Sequence, residues 1–317
     1  APRWAYHGVV FGGGEWSSAD AGLGTAAGDS ALRAAVASGA SAIRLIPTWY
    51  TDSPNSTAIY RATAAREGPL ATESDEAVGR TIALARQLGA SVLLGPLVDP
   101  NWALPWDRRG SPGYPGAECL LWRSGKRPNL PQPPNCTAST DPPHAGRGPI
   151  GRYFSEEEWD AWFESYSEML LVYARLAQQH GASVLVVAAE LWAAMEHPPN
   201  APRWRALVAK ARAVFKGKIA VAANAQTLIP WHDAVDLLGF DMYNGLRLGP
   251  VPAAGPEPPP VAALAAAWQP YIAWLRNVSA STGKPILATE LGFQSRPRSF
   301  VSPAGAARFN PGDCSVY

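Results

Sequence analysis

Two hydrophobic rhythms alternate along this chain. Short runs rich in Val, Ile, Leu and Ala are separated by longer stretches whose apolar positions recur at helical spacing. Seven of the short runs read as strands: Tyr6–Phe11, Ala42–Thr48, Val92–Val98, Val184–Ala189, Ile219–Ala223, Leu238–Met242 and Ile286–Thr289. They are nearly continuous in apolar character, as strands buried on both faces must be. An internal echo organises them. Gly39-Ala40-Ser41, Gly89-Ala90-Ser91 and Gly181-Ala182-Ser183 each close a helical pattern and open a strand. Glycine takes the left-handed position that ends a helix, so the repeated helix–Gly–strand unit predicts parallel βα packing. The fold class that follows is α/β, a (β/α)8 TIM barrel.

The helical stretches carry their own punctuation. Ser74 caps a segment whose apolar face is Val78, Ile82, Ala85 and Leu88. Ser155 and Glu158 form a capping box ahead of Trp159, Phe163, Tyr166, Leu170 and Tyr173, which recur at helical spacing and are assigned to the core. Asn200 and Pro202 open a further helix that ends near Gly217.

Two segments break the alternation. Asn101 to Arg152 is long and rich in Pro and Gly, and Leu248 to Pro260 is a second Pro-rich loop. Neither reads as a linker, so the chain is expected to be a single domain over 1–317 with a loop insertion at 101–152. That insertion follows the third strand, on the face where barrel loops carry function. After Phe293 only 24 residues remain, rich in Pro, Gly, Ser and Arg. A further βα unit needs roughly 25–30 residues with an apolar run, so the eighth unit is expected to be missing from this chain. The first residue is Ala1 rather than Met, which suggests processing or excision from a longer chain.

The charge balance narrows the partners. Lys plus Arg is 27 and Asp plus Glu is 26, giving a net charge of +1, so no bulk field favours nucleic acid or an anionic membrane. No apolar stretch approaches the ~20 residues of a membrane span. Cys119 and Cys136 fall in the Pro-rich insertion and Cys314 near the end, leaving at least one thiol unpaired. Asn55-Ser56-Thr57, Asn135-Cys136-Thr137 and Asn277-Val278-Ser279 are N-glycosylation triplets. With the cysteines they suggest a secreted glycoprotein, and a monomer is expected.

The chemistry lies at two strand ends. Ser183 to Leu191 reads SVLVVAAEL with Glu190 near its end, and Pro285 to Phe293 reads PILATELGF with Glu290 in the same place. A carboxylate at the end of a buried strand is costly to keep unless something pairs or uses it. Two such carboxylates on matching elements suit a glycosidase, whose retaining form needs two carboxyls flanking one glycosidic bond. The alternative is two buried glutamates in unrelated ion pairs. Thirteen Trp add aromatic faces of the kind that stack on pyranose rings. Trp16, Trp49, Tyr50, Trp102 and Trp122 are candidate platforms, and packing of the loops is their other reading. Asp99, Asn101 and Arg123 are candidates for sugar hydroxyls, and Asn224, at the end of the fifth strand, either binds a hydroxyl or caps its loop. Tyr243, at the end of the sixth strand, either hydrogen-bonds Glu290 or simply packs there. Arg44, inside the second strand, needs a carboxylate partner, for which Asp241 is one candidate.

In order, the segments FGGGEW, RLIPTWY, LLGPLVDPNW, LWRSG, WFESY, VVAAEL, GFDMYN and ATELGFQS resemble glycoside hydrolase family 113. That is a group of β-mannanase-type enzymes in a large retaining clan of (β/α)8 barrels, and the resemblance runs to about Ser295. It implies Glu190 as acid/base after the fourth strand and Glu290 as nucleophile after the seventh. It also names Glu290 as the partner of Arg44. Ala189 stands where many clan members carry Asn, so a group that holds the sugar 2-hydroxyl must come from elsewhere. The resemblance implies a polysaccharide or oligosaccharide substrate, β-1,4-mannan above all, and no cofactor.

Other classes lack their signatures. The five His, at positions 7, 144, 180, 197 and 232, show no HxH or HExxH spacing for a metal hydrolase, and no metal site is expected. No GxSxG elbow occurs. A carbohydrate-binding protein without turnover, or a hydrolase of another β-glycan, remains open on the sequence.

Overall fold

The computed structural model describes residues 7–12, 22–63, 71–100, 147–224, 227–243 and 260–292. In chain order the strands are β1 (Gly8–Gly12), β2 (Ala42–Ile46), β3 (Thr48–Thr51), β4 (Ser91–Leu94), β5 (Leu97–Pro100), β6 (Val184–Ala189), β7 (Lys218–Asn224), β8 (Leu237–Asp241) and β9 (Ile286–Glu290). The helices are α1 (Ala26–Ala37), α2 (Asp75–Gln87), α3 (Glu156–His180), the single turn α4 (Trp192–Met195), α5 (Ala201–Val214) and α6 (Val261–Thr282).

Seven strands form one parallel sheet in the order β1-β2-β4-β6-β7-β8-β9. Each strand lies beside the next one in sequence, which is the wall of a (β/α) barrel. Among the described residues no eighth strand pairs with β1 or β9, and Val9 and Val10 on β1 are exposed. Of the first predicted strand, Tyr6 lies outside the described residues.

Two predicted strands are each broken in the middle. Pro47 and Pro96 offer no N–H, so the main ladder stops at Ile46 and Leu94. Pairing resumes beyond them as a separate two-stranded parallel sheet, with Thr48 opposite Leu97 and Tyr50 opposite Asp99.

The helix starts follow the caps read from the sequence. Ser74 Oγ accepts the Ala77 N–H at 3.1 Å. Ser155 Oγ accepts the Glu158 N–H at 3.2 Å, and Glu158 Oε2 accepts the Ser155 N–H at 2.7 Å. Gly39, Gly89 and Gly181 all have positive φ, as the echo requires.

Alternation along each strand sorts the side chains into two layers. Ile43, Leu45, Leu185, Val187, Leu238 and Phe240 join the core between sheet and helices. Ala42, Ile46, Val184, Val186, Ala220, Ala222 and Leu237 form a smaller cluster on the inner face. The same alternation puts Arg44 and Asp241 on the inner face. The outer core includes the aromatic stripe of α3, where Trp159, Phe163, Tyr166 and Tyr173 are buried as predicted. No described helix is long and apolar enough to cross a membrane.

Trp204, packed edge-on against Phe163 and Tyr166 of that stripe, and Trp231 hold α4, the turn that follows Glu190. Trp204 stacks on Trp231 with centroids 4.8 Å apart and planes 11° from parallel. Trp204 Nε1 donates to the Ala194 carbonyl at 2.9 Å, and Trp231 Nε1 to the Met195 carbonyl at 3.0 Å. Replacing Trp204 with Ala removes a fully buried indole and its hydrogen bond. We expect a loss of ~3–5 kcal/mol in unfolding free energy, measured as a lower urea midpoint at unchanged slope.

Candidate active site

Both strand-end glutamates sit at irregularities in the sheet. The β6–β7 register shifts between Val186 and Ala189, and the β8–β9 register between Phe240 and Asp241. In β6 the slip leaves Val187 and Ala188 both in the outer core and returns Ala189 to the inner face. Glu190 follows with φ +54°, left-handed for a residue with a Cβ. Such a conformation costs of order 1–3 kcal/mol and persists only where surrounding contacts fix it. Here the Glu190 N–H donates to the Ala222 carbonyl at 2.9 Å, and its carbonyl accepts the Trp192 N–H at 2.9 Å.

These backbone placements bring the carboxyls together. One oxygen each from Glu190, Asp241 and Glu290 lie within 4.8 Å of one another. Arg44 Nη1 donates to Glu290 Oε1 at 2.7 Å, to the Thr289 carbonyl at 3.1 Å and to Asp241 Oδ1 at 3.4 Å. The Tyr243 hydroxyl donates to Glu290 Oε2 at 3.0 Å. On the other side, Arg147 grips Asp99 through Nε and Nη2, both at 2.9 Å, and reaches Glu190 Oε2 through Nη1 at 2.8 Å. Among the described residues this is the one carboxylate trio close enough to share a cation. Its charge is met by two guanidiniums.

The electrostatics differ from group to group. Burial pushes the Glu190 carboxyl above the usual range; Arg147 opposes this and the Glu290 charge adds to it. Asp241 is pushed up to about 7 by burial, against the pull of Arg44 and with help from Glu290 and Glu190. Burial and the adjacent Glu290 raise the Tyr243 phenol, so it stays a donor. Burial alone would lower Arg147, but Asp99, Glu190 and Glu290 outweigh it and hold the guanidinium charged. The Glu190 and Glu290 side chains keep 25% and 13% of their surface exposed, so a ligand can reach them, whereas Asp241 keeps none. The arrangement sets a carboxyl of raised proton affinity beside one that accepts hydrogen bonds from Arg44 and Tyr243, their oxygens within 4.8 Å.

The other candidates fare differently. Arg44 bonds both Glu290 and Asp241, so its two alternative partners are both real. Asn224 ends β7 opposite Asp241, and its Oδ1 is buried without a partner among the described residues. Tyr50 is a correction: it is fully buried and has no face on which a sugar could stack. Asp99 is a second correction, because both its oxygens are taken by Arg147 rather than left for hydroxyls. Trp49 turns away to α3, donating to the Tyr173 hydroxyl at 2.9 Å, with Arg61 over its ring at 4.8 Å. Trp16, Asn101, Trp102, Trp122 and Arg123 lie outside the described residues, as do the three cysteines. Arg147 was not anticipated. It sits in an aperiodic Gly- and Pro-rich stretch, and no pattern marks it out.

Comparison with known proteins now bears on this geometry. A model of glycoside hydrolase family 113 matches residues 151–310. Among solved structures, the family 113 β-mannanase AaManA from Alicyclobacillus acidocaldarius, in complex with ManMIm, superposes with a TM-score of 0.64 at 22% identity, covering 94% of this chain and 74% of that one. A complex of a family 113 β-1,4-mannanase gives 0.61 at 18% identity, covering 93% and 75%. A further family 113 β-1,4-mannanase structure gives 0.61 at 17% identity, covering 94% and 76%. These likenesses are of fold. No curated protein matches the chain.

The buried acid leaves a mark on stability. An Asp241 pKa raised from the ordinary 3.8 to about 7 means that the folded state binds the proton more tightly than the unfolded one. That contribution is complete below the unfolded pKa and is lost as pH rises towards 7. The melting midpoint is expected to fall between pH 4 and 7, and to fall less in Asp241→Asn, as followed by circular dichroism.

Proposed function

Since this chain belongs to glycoside hydrolase family 113, we propose that it cleaves β-linked polysaccharide, β-1,4-mannan first among them, with retention at the anomeric carbon. The observation that carries the reading is the approach of Glu190 and Glu290 oxygens within 4.8 Å. Retaining glycosidases hold their two carboxyls ~5–5.5 Å apart, while inverting enzymes need ~6.5–9.5 Å to admit a water. The choice of mannan is supported by the β-mannanases with which the chain shares its fold.

The roles follow from the partners. Glu290, held by Arg44 and Tyr243, accepts two hydrogen bonds that suit a carboxylate. It attacks the anomeric carbon as the bond to the leaving oxygen breaks. Glu190, kept protonated by burial and by the Glu290 charge, gives its proton to that oxygen. The glycosyl ester on Glu290 carries no charge, so one of the causes raising Glu190 is gone. Glu190 then takes a proton from water, whose oxygen displaces Glu290 and restores both groups.

Purified protein is expected to release products from manno-oligosaccharides, with the β anomer appearing first by proton NMR. Glu290→Ala is expected to abolish turnover, and Glu190→Gln to lower kcat by ~10²–10⁴, both with the folded circular dichroism spectrum retained. Wild-type turnover by Glu290→Ala would reject the assignment. Binding of the oligosaccharides without cleavage would make the chain a carbohydrate-binding protein instead.

A further inference from the structure

We propose that Arg147 is a positioning residue for Glu190: clamped in a fork by Asp99, it fixes where the Glu190 carboxyl points and stabilises it once its proton has left. The inference rests on reading Glu190 as the acid/base. It begins with the Glu190 backbone, left-handed at φ +54°. A carboxyl on such a residue needs a neighbour that fixes its direction.

Arg147 is built for that task. Its two bonds to Asp99 are parallel and equal, at 2.9 Å, the bidentate geometry that lets a guanidinium hold one orientation. The third bond, to Glu190 Oε2, is the shortest of the three at 2.8 Å. The backbone that presents Arg147 is pinned on several sides. The Gly148 carbonyl accepts the Ala193 N–H at 3.0 Å, three residues beyond Glu190. A Cβ at Gly148 would lie 2.1 Å from the Trp192 indole nitrogen. Gly151, at φ +81°, donates to the Pro54 carbonyl at 2.8 Å and lies so close to Trp159 that a Cβ would sit 2.2 Å from the ring. Ile150, between them, is fully buried. The turn and the Glu190 loop are thus one packed unit.

Six charged or titratable groups surround the Glu190 carboxyl or its partner: Arg147, Asp99, Arg44, Asp241, Glu290 and Tyr243. Burial and Glu290 favour the protonated form, which the first step needs. Arg147 favours the charged form, which the second step needs. Asp99 tempers Arg147 by taking two of its donors.

The two single variants should therefore move the proton in opposite directions. In Arg147→Met, the alkaline limb of kcat/KM, which reports loss of the Glu190 proton, should rise by ~1–3 pH units. In Asp99→Asn it should fall, because Arg147 then gives its charge to Glu190 alone. A substitution that only loosened the fold would lower the rate without splitting the limbs. The double variant Arg147→Met/Asp99→Asn leaves no buried charge unpaired and serves if either single variant fails to fold. Its limb should also rise, since it is the guanidinium that bonds Glu190. Titration of the Glu190 carboxyl by carbon-13 NMR, assigned by its loss in Glu190→Gln, reads the same shifts without turnover. Shifts in this titration with no cleavage of any glycan would sink the hydrolase reading and leave the role of Arg147 standing. Cleavage with the limb and titration unmoved in the Arg147 variants, or moved the same way in both single variants, would overturn the role of Arg147 alone.

Discussion

Four carboxyls and two guanidiniums share the inner end of this sheet. Asp99, Glu190, Asp241 and Glu290 face Arg44 and Arg147. Fully ionised, the group would carry two negative charges in excess. Uncompensated charge in a protein interior costs several kcal/mol per ion, so the cluster relieves itself by keeping protons. The two acids with raised pKa values, Glu190 and Asp241, are the ones that make the sum neutral when protonated. The same imbalance that weighs on the fold raises the proton affinity of Glu190 and Asp241.

On the inner face Ala42, Ala189, Ala220 and Ala222 alternate with the larger Ile46, Leu93, Val184, Val186 and Leu237. Extra residues near the ends of β6 and β9 then turn chain that would otherwise continue its alternation. The strain at Glu190 is held by backbone bonds to β7 and by a helical turn locked beneath two tryptophans. The aromatic core and the carboxyl cluster are therefore connected through this turn.

Much of this was legible from the residues. The glycine-terminated helices and apolar runs gave the parallel order, and glutamates closing two such runs pointed to a shared pocket. Arg44 could be paired with Glu290 through the family resemblance, and Tyr243 through its place at a strand end. Legibility failed where periodicity did. Pro47 and Pro96 end one ladder and begin another, so the directions of Trp49 and Tyr50 could not be extrapolated along β2. Asp99 looked free because its partner lies 48 residues away in a stretch with no period. Arg147 was invisible for the same reason: its burial comes from two glycines fitting against indole rings, a tertiary fact with no local pattern.

That separation along the chain has an evolutionary side. Strand β5 ends at Pro100, just past Asp99, and Arg147 pairs with that carboxylate from 48 positions further along the chain. Lengthening the intervening stretch costs little closure entropy, about 0.6 kcal/mol per doubling. Selection can therefore alter the length of sequence between these two partners at little cost to the ion pair that joins them.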